Sequence, residues 1–165
     1  MPGRILTSVS LFAMIVAVGC SSQDQWQKSR PKVVRVHGVV IHNGQPIEDA
    51  MVTFHPVAGS YSAFDKTGPD GRFELMTFDE GDGAVPGDYL VAIKKNVVEF
   101  EANPVDPQHL PPLYHTEQEV LPEDYGDPKK SGLTATIPES GVKDLKFDLS
   151  GPSGKMKVYI ARKNG

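Results

Sequence analysis

At 165 residues, with 39% hydrophobic and 23% charged side chains, the chain has room for one ordinary globular domain plus a short targeting segment or tail. A formal net charge of −4 without any local run of Lys and Arg excludes a general nucleic-acid binder, because neutralising phosphates requires a basic patch. Sixteen Gly and fourteen Pro interrupt the chain too often for long helices and favour a turn-rich β fold.

In the first twenty residues, Met1 to Arg4 carries a single positive charge and Ile5 to Val18 is almost unbroken apolar sequence. That run is short for a transmembrane helix and of the right length for a secretory signal. It leads into Ala17-Val18-Gly19-Cys20, followed by Ser21-Ser22. The pattern resembles the lipobox of bacterial lipoproteins, in which small residues precede a Cys that is lipidated and becomes the mature N-terminus. Ala17 stands where Leu is commoner. The resemblance implies that residues 1–19 are a signal peptide and that Cys20 carries acyl chains such as palmitate. The protein is then expected in the cell envelope, held to a bacterial membrane by its lipid and facing the periplasm or the exterior. Ser21 rather than Asp after the Cys resembles outer-membrane routing. Cys20 is the single Cys of the chain, which excludes an intramolecular disulfide. Removing residues 1–19 leaves sixteen basic against twenty-one acidic side chains, so an anionic bilayer repels the domain and the lipid must hold it.

Residues 20–32 are polar and aperiodic, a tether between anchor and domain with Trp26 as its one odd residue. From residue 33 onward, apolar runs of four to seven residues end at Asn, Asp, Gly or Pro, which is strand punctuation. Val34, Val36 and Val40 share one face of a first strand, and Gly38 between them suggests a bulge. Asn43-Gly44 is a strong hairpin signal. Ala50, Val52 and Phe54 alternate with Met51, Thr53 and His55. A weak strand follows at Ser62 to Thr67, then an Asp70-Gly71 turn. Phe73 and Leu75 share a face, as do Tyr89, Val91 and Ile93 beyond the Glu80–Pro86 loop. Asn96 to Ser131 holds six prolines and no clear periodicity, and reads as a long insert. Strand character returns at Leu133 to Ile137, Leu145 to Leu149 and Met156 to Ile160. The expected core is Val36, Val52, Phe54, Phe73, Leu75, Tyr89, Val91, Leu133, Phe147 and Leu149. The expected fold is all-β: an antiparallel sandwich of about seven or eight strands spanning residues 33–165, with the insert at 96–131.

The runs V-x-G-x-V-x-x-N-G-x-P-I-x-x-A-x-V-x-F at Val36 to Phe54, D-G-R-F-E-L at Asp70 to Leu75 and P-G-D-Y-L-V at Pro86 to Val91 look like one family. They resemble the carboxypeptidase-regulatory-like domain, a relative of the transthyretin-like (prealbumin-like) sandwich. L-P-E-D-Y at Leu121 to Tyr125 and S-G-L-T-A at Ser131 to Ala135 resemble small bacterial lipoproteins made of this domain alone. The resemblance covers residues 33–149 and implies a Greek-key β-sandwich. The last run, Met156 to Ile160, departs from it and reads as an added edge strand. The shared motifs are structural, so the family implies a fold and not an activity.

The residues themselves offer no catalytic constellation. His37, His42, His55, His109 and His115 sit in no His-x-x-Glu or His-Glu-x-x-His pattern, so the zinc site of a metallo-carboxypeptidase is not encoded and no cofactor is expected. Transthyretin-related hydrolases of 5-hydroxyisourate need a C-terminal Tyr-Arg-Gly-Ser, and this chain ends Arg162-Lys163-Asn164-Gly165. That hydrolase stands as a remote alternative. Asp79, Glu80 and Asp82 form an acidic loop, a weak candidate for Ca²⁺ whose bland reading is a solvated turn. The insert carries Phe100, His109, Tyr114 and His115, side chains able to stack on a peptide or a sugar. The opposing reading has Leu110, Leu113 and Tyr125 plugging a sheet edge. Three functions follow: a non-catalytic binding or structural module of the envelope, the hydrolase, or an accessory subunit that binds carbohydrate or peptide for a secreted enzyme. The first is expected, with a membrane and an unidentified envelope protein or glycan as partners.

Overall fold

Alternation of β-branched and aromatic residues with polar ones, broken by Gly and Pro, yields eleven strand segments and one 3-10 turn in the computed structural model, which describes residues 29–160. The expected signal peptide, Cys20 and the tether through Lys28, with Trp26, lie outside those residues. The domain is the unit that begins at Pro31.

The first sheet is built on β1 (Val36–His42). One edge of β1 pairs with β10 (Val142–Leu149), and the other is shared by β5 (Arg72–Glu74) and β2 (Gln45–Pro46). Asn43 and Gly44 turn β1 into β2 at φ 51° and 81°, the left-handed pair such a hairpin needs. A bulge between Val36 and Gly38 in the pairing with β10 confirms the glycine's role. A Cβ at Gly38 would run into the Phe73 ring and stand 2.7 Å from the Leu145 carbonyl oxygen, so only glycine fits. The second sheet runs β4 (Ala63–Lys66), β3 (Met51–Pro56), β6 (Gly87–Lys94), β9 (Leu133–Ile137), antiparallel throughout. The two sheets are stitched where Phe64 and Met76 exchange backbone hydrogen bonds of 3.0 Å.

One apolar core takes side chains from both sheets: Val36, Val40, Phe73, Phe147 and Leu149 from the first, Val52, Phe54, Tyr89, Val91 and Ile93 from the second. Phe54 is its hub, with ring centroids 5.7 Å from Tyr89, 6.0 Å from Phe147 and 6.3 Å from Phe73. Thr67 is a buried polar group within it. Its hydroxyl donates to the Ile47 carbonyl (2.6 Å) and accepts from the Ala50 N–H (2.8 Å), closing the loop into β3. Of the expected core, nine of ten residues are buried; Leu133 is half-buried against the cluster.

Two expectations need correcting. β1 and β10 run parallel, not antiparallel, because both enter the first sheet from the same end. The region 96–131 is not irregular. It contains β7 (Asn96–Glu101), β8 (Tyr114–Glu119) and the 3-10 turn Glu123–Gly126. β7 and β8 pair antiparallel, and β11 (Met156–Ile160) pairs with the other edge of β8, so β11 belongs to a third sheet instead of extending the first two. Beyond β8, Leu121 is buried and Tyr125 packs on the core, so residues 121–131 do cover the domain.

Candidate functional site

In the third sheet, order β11-β8-β7, β11 falls on an expected strand but β7 and β8 have no counterpart in the periodicity of the sequence, and the sheet is unlike the other two. β6 passes through Lys95 directly into β7, carrying the chain out of the core. Every residue of β7 is exposed, and no residue of β8 is buried. Both faces of the sheet therefore meet solvent.

Register partners in a sheet share a face, so the pairings assign each side chain. Phe100 stands opposite His115, and His115 opposite Tyr159. These three rings form one row across the sheet. Val98, Glu117 and Lys157 form the next row on that face. The other face carries Val97, Gln118 and Met156, then Glu99, Thr116 and Val158, with Tyr114 beyond them. Phe100 is 67% exposed, Val158 58%, Met156 57% and Val98 55%, a concentration of open apolar surface on a strip that has no core of its own.

The His115 and Tyr159 rings stack at 4.4 Å with an interplanar angle of 12°. Each ring spends one face on the other. The Glu117 carboxylate lies 3.8 Å from His115 Nε2. Of the four residues expected to form the site, Phe100 and His115 come together, while Tyr114 is on the opposite face. His109 is held apart in the proline-rich connection 102–113. There its Nδ1 lies 3.0 Å from Asp106 Oδ2, and Asp106 Oδ1 accepts from the Gln108 and His109 N–H groups at 3.1 Å. The bond from the His109 ring, then that from its backbone N–H, holds the Asp106 carboxyl below its ordinary value. Leu110 and Leu113 are exposed. Tyr159 joins the site unannounced; its membership depends on a pairing over forty residues away, which no local pattern encodes.

At the foot of this sheet lies a groove of about 370 Å³. Its floor includes Ile93 and Leu121, and its rim holds Lys94, Lys95 and Lys130 among Glu119, Glu123, Asp124 and Asp127. Lys94 meets Glu119 at 3.6 Å and Lys130 meets Asp127 at 3.7 Å. Such a rim is charged with both signs and close to neutral as a whole.

The acidic loop is organised around its own backbone. Asp82 accepts from the N–H groups of Thr77 (2.7 Å), Phe78 (3.1 Å) and Asp79 (3.1 Å). Those bonds spend the Asp82 carboxylate on the turn's own backbone. Among the described residues, no group of three His, Cys, Asp or Glu side chains is placed to hold a metal ion. Nor is any described helix long and apolar enough to cross a membrane.

No family model matches the chain, and no curated protein matches it. Among solved structures, a 9R-lipoxygenase from Cyanothece PCC8801 aligns with 76% of this chain at 14% identity and a TM-score of 0.35. The chain spans 18% of that protein's length. A likeness that slight carries no argument about fold or activity.

Proposed function

We propose that this protein is a non-catalytic recognition module of the bacterial cell envelope, anchored through a lipid on Cys20, whose two main sheets form a carboxypeptidase-regulatory-like, transthyretin-like Greek-key sandwich. The motif residues that suggest the family do the jobs such a sandwich asks of them: Asn43-Gly44 turns the first hairpin, and Val36, Val52, Phe54, Phe73 and Tyr89 fill the core. The observation that carries the recognition role is the third sheet, open on both faces and rich in exposed apolar side chains. A three-stranded sheet needs a packed face for independent stability, and a partner that covers one supplies it. The partner class is a protein, because the sheet offers unpaired strand edges that another strand can pair with.

The test is recovery of partners from detergent-solubilised envelope with the wild-type chain and a Phe100→Glu, Val158→Glu variant. Both positions are exposed, so the thermal transition should stay where it is while partner recovery is lost. Equal recovery by both chains would move the site off the third sheet. Fatty-acid labelling of wild-type but not Cys20→Ser protein tests the anchor separately.

A second reading follows from the groove below the sheet. Its apolar floor and its ammonium and carboxylate rim fit a short peptide with both termini charged, as an accessory peptide-binding subunit would require.

A further inference from the structure

The third sheet ends in two strands of opposite charge. β7 carries Glu99 and Glu101; β11, with the residue that precedes it, carries Lys155 and Lys157. All four side chains are exposed. Among the described residues, neither strand has a neighbour on its outer side, so each presents a row of unpaired backbone donors and acceptors. An edge of this kind pairs with another strand unless its side chains forbid it.

We propose that the partner of β7 is β11 of a second copy of this chain, paired antiparallel so that Glu99 faces Lys157 and Glu101 faces Lys155. This deepens the recognition role given above, on which it rests, by naming the partner. In that register Val97 lies opposite Tyr159 on the charged face. On the other face Val98 lies opposite Val158 and Phe100 opposite Met156, two apolar pairs of which the second is a thioether against a ring. A slip of one residue sets Glu99 against Val158 and Phe100 against Lys157, losing every match, so the pattern specifies one register. The alternatives are poorer. β7 against β7 brings carboxylates together with no cation, and β11 against β11 brings ammonium groups together with no anion.

The direction fits too. β7 and β11 both run antiparallel to β8. An antiparallel β7–β11 contact therefore continues the alternation of strand directions from one copy into the next. The contact is head-to-tail: each copy keeps a free acidic edge at one end and a free basic edge at the other. Addition can repeat, giving short chains of copies instead of a closed dimer.

The experiment uses the full chain in its membrane. Val98→Cys and Val158→Cys are made in separate copies carrying Cys20, co-expressed, and oxidised with copper phenanthroline. The expected product is a disulfide dimer formed by the two variants together and by neither alone. Glu99→Lys/Glu101→Lys in the first copy should cut the yield about tenfold, and adding Lys155→Glu/Lys157→Glu to the second should restore it. Dimers from either variant alone, or a yield indifferent to the charge changes, would overturn the proposal. So would the lack of any 98–158 product in chains whose resistance to proteolysis matches wild type. Should either variant prove protease-sensitive, Val97→Cys with Tyr159→Cys reads the same register. Loss of the disulfide with continued recovery of other proteins through the third sheet would reject self-pairing and leave the recognition role standing.

Discussion

The domain contains two kinds of β structure. In the two main sheets every strand but the two-residue β2 has a dry side: β3 alternates exposed Met51, buried Val52, half-buried Thr53 and buried Phe54. In the third sheet β7 reads Asn-Val-Val-Glu-Phe-Glu, and all six residues are exposed. Backbone pairing is equally regular in both. The difference lies in what the side chains lose on unfolding: the first kind gives up a shared core, the second mainly a ladder of hydrogen bonds whose net value in water is modest. Regular structure and stability are thus separately supplied.

The contrast is sharpest at Phe54. Phe54→Ala removes the ring at the centre of the aromatic cluster and should cost about 3–5 kcal/mol, read as a lowered denaturant midpoint. A midpoint unchanged would mean that the core is not where the stability resides. Thr67→Val is nearly isosteric but strands the Ile47 carbonyl and the Ala50 N–H in a buried site, and should cost about 1–3 kcal/mol by the same measurement.

Tyr89 sharpens the comparison by pH. Loss of hydration raises its phenol above the ordinary 10.0, and its hydroxyl donates to the Val85 carbonyl at 2.6 Å. The folded state therefore holds this proton more tightly than the unfolded chain does. Its contribution is complete below pH 10 and is lost as pH rises from there through the folded value. Alkaline titration of the melting temperature should show this fall in wild type and a shallower one in Tyr89→Phe. The smallest effect belongs to the third sheet. Phe100→Ala should shift stability by no more than about 0.5 kcal/mol, although it deletes a larger side chain than most core substitutions do. A loss comparable to that of Phe54→Ala would erase the distinction between the two regions.

The same division governs what the sequence reveals. Where one face is dry, apolar residues recur with a period of two, and Val36, Val52, Phe73 and Leu149 announce their burial. Where both faces are wet, selection for alternation disappears: Tyr-His-Thr-Glu-Gln-Glu in β8 reads as a polar loop, and the proline-rich stretch after β7 reinforces the impression. The aromatic candidates Phe100 and His115 were legible as residue types. Their meeting with Tyr159 was not, because it requires β11 to return from a distant part of the chain. His109 had the right chemistry but a local partner in Asp106, a pairing that i to i+3 spacing within a turn could have suggested. The parallel entry of β10 beside β1 has no signature in either strand, since side-chain period is blind to strand direction.

That parallel pair sets the tempo of folding. Val36 is joined to Val142 and His42 to Leu149, contacts between the two ends of the domain. Loop closure over such a distance must be achieved before the pairing returns any free energy, which places this domain among the slow, high-contact-order folders. A chain emerging from the ribosome N-terminus first can form the β3–β4 hairpin early, but β1 has no β10 to lie against until nearly all of the protein has been made. Until then that edge of β1 stays unpaired, although β2 and β5 can already lie along the other.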